Sequence, residues 1–251
     1  MNGFIQIYHL LLYQPLLNIL VLLYNFLPGN DLGLAVIILT LAIRLILHPF
    51  SVKGLKSQRR LSQISPQIKE IQAKYKDRAE QSVKMMELYK KEKISPASGC
   101  LPLLLQLPVI IALYQVFLNG LTEQSLANNL YSFVANPGVI SQTFLGIFNF
   151  SSKIFVAVLA VLAGGAQFWQ GKLSSLAAKS GAGAGKTAGG GMDFANMMQK
   201  QMLYVMPLIS VLIVYQMGAV IGIYWLFSSL LSVGEQYLAN RGESVPRRAD
   251  L

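Results

Sequence analysis

An arginine at position 44 stands inside the run LGLAVIILTLAIRLILHPF, residues 32–50, where almost every neighbour is apolar. It lies 13 residues beyond Asp31, about 20 Å along a helix that rises 1.5 Å per residue. A charge at the centre of a membrane helix costs ~2.5 to 3.5 kcal/mol on insertion scales, so something must offset it. Two readings stand side by side. The side chain snorkels to the inner boundary marked by Lys53, or it faces a water-filled cavity open to the cytoplasm.

Other polar groups fall at membrane depth. Gln106 lies midway along a second apolar run, Gln115 nearer its outer end, and Gln167 and Gln170 near the inner end of a third. Each alone fits an interhelical hydrogen bond. Together, Arg44, Gln106 and Gln170 could line one hydrated chamber in the inner leaflet, which would replace part of the hydration lost by a polar segment crossing the bilayer. Trp225, beside Tyr224, fits a packing or interfacial-belt residue.

Covalent chemistry lacks its parts. His9 and His48 are the only histidines, and Asp31 and Glu123 fall at or beyond the outer boundary. Neither a catalytic triad nor a metal site can be assembled, and no cofactor is expected. The lone Cys100 excludes an intrachain disulfide, and Ser98-Gly99-Cys100 lies mid-chain, with no secretory signal before it to make it a lipid-attachment site. GAGAGKT imitates a phosphate-binding loop, but Ser180 stands where G-x-x-x-x-G-K-[ST] needs glycine and no strand precedes it. No nucleotide is expected.

The elements around these residues are those of a membrane protein. Hydrophobic residues make up 53% of the 251 and charged ones 13%, and backbone polar groups in lipid must be satisfied within helices. Lys and Arg are absent from residues 1–43 and from 118–152, whereas residues 51–97 hold twelve with five acids. Basic loops stay inside, so the alternation maps topology. Residues 31–50, 98–119 and 153–171 form the first three spans. The uncharged run 203–234 would make a helix of about 48 Å, longer than one crossing. It divides near Gln216-Met217-Gly218 or Gly222 into spans over 201–217 and 218–238, which leaves the tail 239–251, with Arg241, Arg247 and Arg248, inside. Residues 120–152 become an external loop. Residues 172–200, rich in Gly, Ala and Ser, become a flexible cytoplasmic loop.

Within residues 1–30, the run 4–27 is apolar enough to be a sixth span, but Gln14, Asn18 and Asn25 fall within a narrow arc at 100° per residue and Pro15 interrupts it. A polar stripe of this kind suits an amphipathic helix lying on the outer surface. Residues 51–97 form a cytoplasmic helical hairpin. Leu61, Ile64, Ile68, Ile71 and Tyr75 make an a/d seam, and Ser65-Pro66 fits an N-cap and first turn. Val83, Met85, Met86, Leu88 and Tyr89 give the buried side of the second arm. Glu70 with Lys74, Glu80 with Lys84, and Glu87 with Lys91 are spaced as i,i+4 pairs. The hairpin's excess of seven positive charges, Lys84, Lys90 and Lys91 among them, suits a polyanion such as ribosomal RNA or anionic lipid headgroups, or else serves only to hold the hairpin inside.

The order of these features resembles the YidC/Oxa/Alb membrane insertases: the arginine in LTLAIRLILHPFS, the basic hairpin leading into MMELYKKEKISPASGCLPLLLQLPVIIALYQVF, and YVMPLISVLIVYQMGAVIGIYWLFSSLLS near the end. The likeness covers almost the whole chain and is most specific over residues 31–118. It implies an all-α polytopic fold with an outer amphipathic helix, five spans and a cytoplasm-open hydrophilic groove built on Arg44. Gln106, Gln170 or its neighbour Gln167, and Trp225 would occupy groove or adjoining positions. It further implies nascent membrane-protein clients, the ribosome as a partner through the hairpin, work beside the Sec translocon, no ATP, and residence in the bacterial inner membrane. With no large extracytoplasmic domain before the first span and a brief tail after Leu238, it implies the short form of the family. The rival from another class is a small anion channel or secondary transporter with Arg44 as its binding site; its signature would be an inverted repeat, and none is evident.

Overall fold

The computed structural model describes residues 3–75, 77–93, 101–180 and 192–241. Helices α1 (Gly3–Tyr8) and α2 (Gln14–Phe26) are joined through a wide π turn at His9–Tyr13, with Pro15 accommodated in the first turn of α2. They are followed by α3 (Leu32–Gln63), α4 (Ser65–Lys74) and α5 (Arg78–Lys91). Helix α6 (Leu101–Gln115) widens into a π turn over Val116–Gly120. Next come α7 (Glu123–Asn129), the two short strands β1 (Thr143–Phe144) and β2 (Phe148–Asn149), and then α8 (Lys153–Ser180), α9 (Met192–Met217) and α10 (Ala219–Arg241). The runs Ile5–Phe26, Leu32–Leu61 and Lys153–Ser174 are long and apolar enough to cross a membrane, and Gln106–Gly120 and Leu203–Met217 are shorter apolar helices. The protein is an all-α polytopic membrane protein.

Several expectations need correction. The run expected to be the first span and the start of the hairpin share one helix, because α3 runs unbroken through Pro49 to Gln63. A proline removes one N–H and crowds the carbonyl four residues back, that of Leu45, a local loss that a helix with several turns on both sides can carry. Ser65 is not the cap of α4. Ile64 holds that position, no side-chain bond is made there, and Pro66 falls in the first turn, where its missing N–H would have had no partner. Along α5, Val83 and Met86 are 56% and 51% exposed. Of the five, Met85, Leu88 and Tyr89 are half-buried, at the 3–4 spacing of one helical face, whereas 83 and 86 stand about 160° and about 100° around the helix from Met85. Lys84 pairs with Glu87, three residues on, at 2.9 Å.

Two segments expected to be loops carry structure. Residues 172–180 continue α8 and residues 192–200 begin α9. Residues 181–191, with the GAGAGKT sequence, lie outside the described residues, as do Cys100 and the tail from residue 242. The segment 120–152 holds α7, capped by Thr122 accepting from the Ser125 N–H at 3.4 Å, and the antiparallel β1–β2 hairpin. That hairpin turns through Leu145 and Gly146, both at positive φ (54° and 66°), the backbone that tight hairpin turns require.

The described chain divides into two compact units. The first comprises Met1–Ile46, Leu103–Gly165 and Ile209–Ser229. Its core includes Leu17, Leu20, Val36, Leu39, Leu113 and Leu126, each at most 2% exposed. Here the polar stripe of α2 is bonded to residues 129–135. Gln14 and Asn18 donate to the Asn129 carbonyl (3.3 and 2.9 Å), Asn25 donates to the Ala135 carbonyl (2.7 Å), and Asn18 Oδ1 accepts from the Tyr131 N–H (2.7 Å). Helix α9 ends with the Gly218 N–H bonded to the Val214 carbonyl at 3.0 Å. Gly218 itself has φ 97°, a backbone available to glycine that closes one helix before the next begins.

The second unit comprises Leu47–Pro102, Ala166–Leu208 and Leu230–Leu251. Within it, α4 lies against α5 with Ile64 buried at their entrance. His48 of α3 meets Glu235 of α10 at 2.9 Å, and Arg59 Nη1 donates to the Ala239 carbonyl at 3.0 Å, placing a cation at the last turn of α10, where the helix dipole favours it. Gly171 of α8 lets Leu203 of α9 approach, since a Cβ there would stand 3.2 Å from the leucine methyl.

Candidate functional site

Arg44 is half-buried in the first unit. Its Nε and Nη2 both donate to the hydroxyl of Ser228, at 3.1 and 2.5 Å, near the middle of α10. Ser228 is itself buried, as is Tyr224 one turn before it. Gln106 Nε2, from α6, donates to the Tyr224 hydroxyl, and that hydroxyl also bonds Ser228. Three helices thus bring four residues into one polar chain.

Hydrogen-bond arithmetic gives the chain a direction. A serine hydroxyl has two acceptor sites and one proton. Both acceptor sites of Ser228 are taken by Arg44, so its proton goes to Tyr224, whose oxygen receives it together with the Gln106 N–H. The helical period explains why α10 can do this: Tyr224 and Ser228 are four residues apart and share a face. One turn back from Arg44, Thr40 is satisfied by its own helix, donating to the Val36 carbonyl at 2.6 Å.

The adjoining face of α10 is apolar. A cleft of about 530 Å³ opens between α8, α10 and the β1–β2 hairpin, lined by Phe155, Val158, Leu159 and Leu162 on one side, Ile223, Leu226 and Phe227 on the other, and Phe144 and Phe148 at one end. The Phe148 and Phe155 rings stack at 4.9 Å between centroids. Close helix approach beside the cleft depends on Gly222, where a Cβ would lie 2.9 Å from Val214 and 3.1 Å from Leu159.

Arg44 and Gln106 join one chain through Tyr224 and Ser228. Trp225 packs with Val211 and Leu226 on the cluster of Ala160, Ala163 and Val214, roughly 100° around α10 from Tyr224. Gln167 and Gln170 are half-buried on the part of α8 that belongs to the second unit. The sequence reading missed Tyr224 and Ser228 as site residues. The available signal was a pair of hydroxyl side chains at i,i+4 in an apolar helix.

The family model described as "60Kd inner membrane protein" matches residues 22–246. The chain belongs to that family. The membrane protein insertase YidC of Wolinella succinogenes is 32% identical over 237 residues, 94% of this chain and 38% of that protein. The protein of the same name from Fusobacterium nucleatum is 33% identical over 209 residues, 83% of this chain and 85% of that one. The one from Lawsonia intracellularis is 31% identical over 225 residues, 89% and 37%. The chain thus spans under two fifths of the Wolinella and Lawsonia proteins and most of the Fusobacterium one. As a member of the 60Kd inner membrane protein family with several membrane-length helices, it is a multi-pass protein of the bacterial inner membrane. Within that family setting, the Arg44 chain and the apolar cleft are the candidate site.

Proposed function

We propose that the chain is a membrane protein insertase and chaperone. It accepts client segments from the cytoplasmic side through a hydrophilic groove built on Arg44 and hydrolyses no ATP. The observation that carries this reading is the division of α10 into two adjoining faces, one in the polar chain with Arg44 and the other lining the apolar cleft. A client with a polar tail and an apolar segment needs both at once. The guanidinium attracts carboxylates in the tail, and the cleft between α8 and α10 receives apolar side chains. Its 530 Å³ takes side chains from one face of a helix rather than a whole helix. Burial of the client's apolar surface and the membrane potential supply the energy. The similarity to proteins named insertases supports the same reading.

In this arrangement α3, α6, α8, α9 and α10 cross the bilayer, and the α4–α5 hairpin and the tail are cytoplasmic. The α1–α2 segment lies on the outer surface, where its polar stripe is bound to residues 129–135 of the external segment. Gln167, Gln170 and Trp225 are further client contacts. Lys90 and Lys91, exposed on the last turn of α5, contact the ribosome or anionic lipid more freely than Lys84, which is held by Glu87. The Sec translocon is a partner for larger clients.

The test is insertion of a single-span client with an acidic tail into liposomes containing the purified protein. Arg44→Ala lowers the rate roughly tenfold, the size of one lost charge-assisted hydrogen bond. Anion uptake by the same liposomes, with no client inserted, would instead make the protein a channel using Arg44 as its anion site.

A further inference from the structure

Arg44 presents one particular edge to Ser228. Nε and Nη2 point the same way and form the fork that binds both oxygens of a carboxylate. Here a single neutral oxygen sits in that fork, with both of its acceptor sites filled. We infer that Ser228 is a positioning residue for Arg44: its hydroxyl stands in for a client carboxylate, holds the guanidinium at the depth of mid-α10, and gives way when an acidic side chain reaches that depth.

This inference rests on the proposal that Arg44 receives acidic client groups. It adds a specificity that proposal does not contain. An arginine side chain is long, and a free guanidinium would sample a range of depths and move toward water. Tethered to a buried serine, it offers its fork at one depth. Tyr224 fixes the serine in turn, because the Ser228 proton is directed onto a phenol oxygen that Gln106 also holds from α6. A client should therefore be read by where its acid lies along the tail as well as by whether it has one. The exchange is favourable because a carboxylate brings two oxygens and a full charge to a fork that the serine fills with one neutral oxygen.

The full-length protein in liposomes is given a series of single-span clients, each with one Asp at a different tail position, and the insertion rate is plotted against that position. The native protein gives a profile with a maximum. Ser228→Ala flattens it, lowering the ratio of best to worst client by about three- to tenfold. Ser228→Thr, which keeps the hydroxyl, retains the maximum. Ser228→Asp places a permanent carboxylate in the fork and abolishes dependence on the client's acid while Arg44 remains. A Ser228→Ala profile identical to the native one, alongside a flattened Arg44→Ala profile, overturns the role of Ser228 and leaves the arginine's role standing. A native-like Arg44→Ala profile overturns both.

Discussion

The ring of Phe144 occupies the space that a side chain on residue 33 would need. A Cβ built on Gly33 would lie 2.2 Å from Cδ2 of that ring and 2.7 Å from Cγ. Asp31, two residues earlier, accepts from the Leu34 N–H at 2.9 Å with one carboxylate oxygen and from the Leu145 N–H with the other. The first turn of α3 and the β1–β2 hairpin are thus clasped by one buried carboxylate and one missing methyl. Gly33→Ala is expected to push the hairpin off α3 and cost about 1 to 3 kcal/mol, as overpacking does. A lowered thermal midpoint in detergent and faster proteolysis within residues 136–147 check this.

Asn18 carries a second clasp. Its amide donates to two carbonyls, those of Gln14 (2.8 Å) and Asn129 (2.9 Å), and its oxygen accepts from the Tyr131 N–H. Asn18→Leu keeps the volume but strands buried backbone groups of residues 129 and 131, which costs roughly 2 to 4 kcal/mol. Amide exchange of the 129–135 segment should rise in that variant and stay near native in Asn25→Leu, where a single and more exposed bond is lost.

Gly218 and Gly165 make a matched pair. Gly218 has φ 97° with no atom near enough to obstruct a Cβ, so Gly218→Ala is penalised by backbone conformation alone, by about 1 kcal/mol or more. Gly165 lies inside α8 with equally open surroundings, so Gly165→Ala stabilises by about 0.4 to 1 kcal/mol. Opposite shifts of the thermal midpoint are expected from the same chemical change.

The α4–α5 hairpin offers a test of charge. The Lys84 ammonium is held above its ordinary value of 10.5, chiefly by the hydrogen bond it donates to Glu87 and then by that carboxylate's charge. A raised lysine keeps its proton at every pH below that value and loses it only as the pH rises through it. Its charge should therefore be constant from about pH 6 to 9. Ribosome co-sedimentation at low salt is expected to be flat over that range and to weaken when Lys84, Lys90 and Lys91 are reversed to Glu. Loss of binding between pH 7 and 8 would assign the contact to other groups.

Membrane-length apolar runs and the alternation of basic segments were legible because bilayer thickness and the cost of moving charge act on composition directly. Arg44 and Gln106 stood out for the same reason, being polar where hydrocarbon was expected. Ser228 and Tyr224 did not, since hydroxyls in apolar helices so often bond their own backbone, as Thr40 does. Trp225 was marked by the family resemblance, although its neighbour in sequence, a third of a turn away, holds the polar chain. The stripe Gln14–Asn18–Asn25 was visible as a pattern, but its partners were not, because they are backbone groups of a segment more than a hundred residues later. Nor did periodicity show whether Pro49 would end α3, which depends on the helix remaining on each side.

That last separation governs how the protein can be born. Asn18 leaves the ribosome 111 residues before Asn129, and synthesis at ~5 to 20 residues per second puts roughly 6 to 22 seconds between them. Through that interval α2 lacks the partners at residues 129–135 that its side-chain amides bond in the finished fold, so those groups must be met by water, lipid headgroups or another protein. A chain proposed to shelter unfinished membrane proteins is for a time one itself, with α2 awaiting a companion not yet translated.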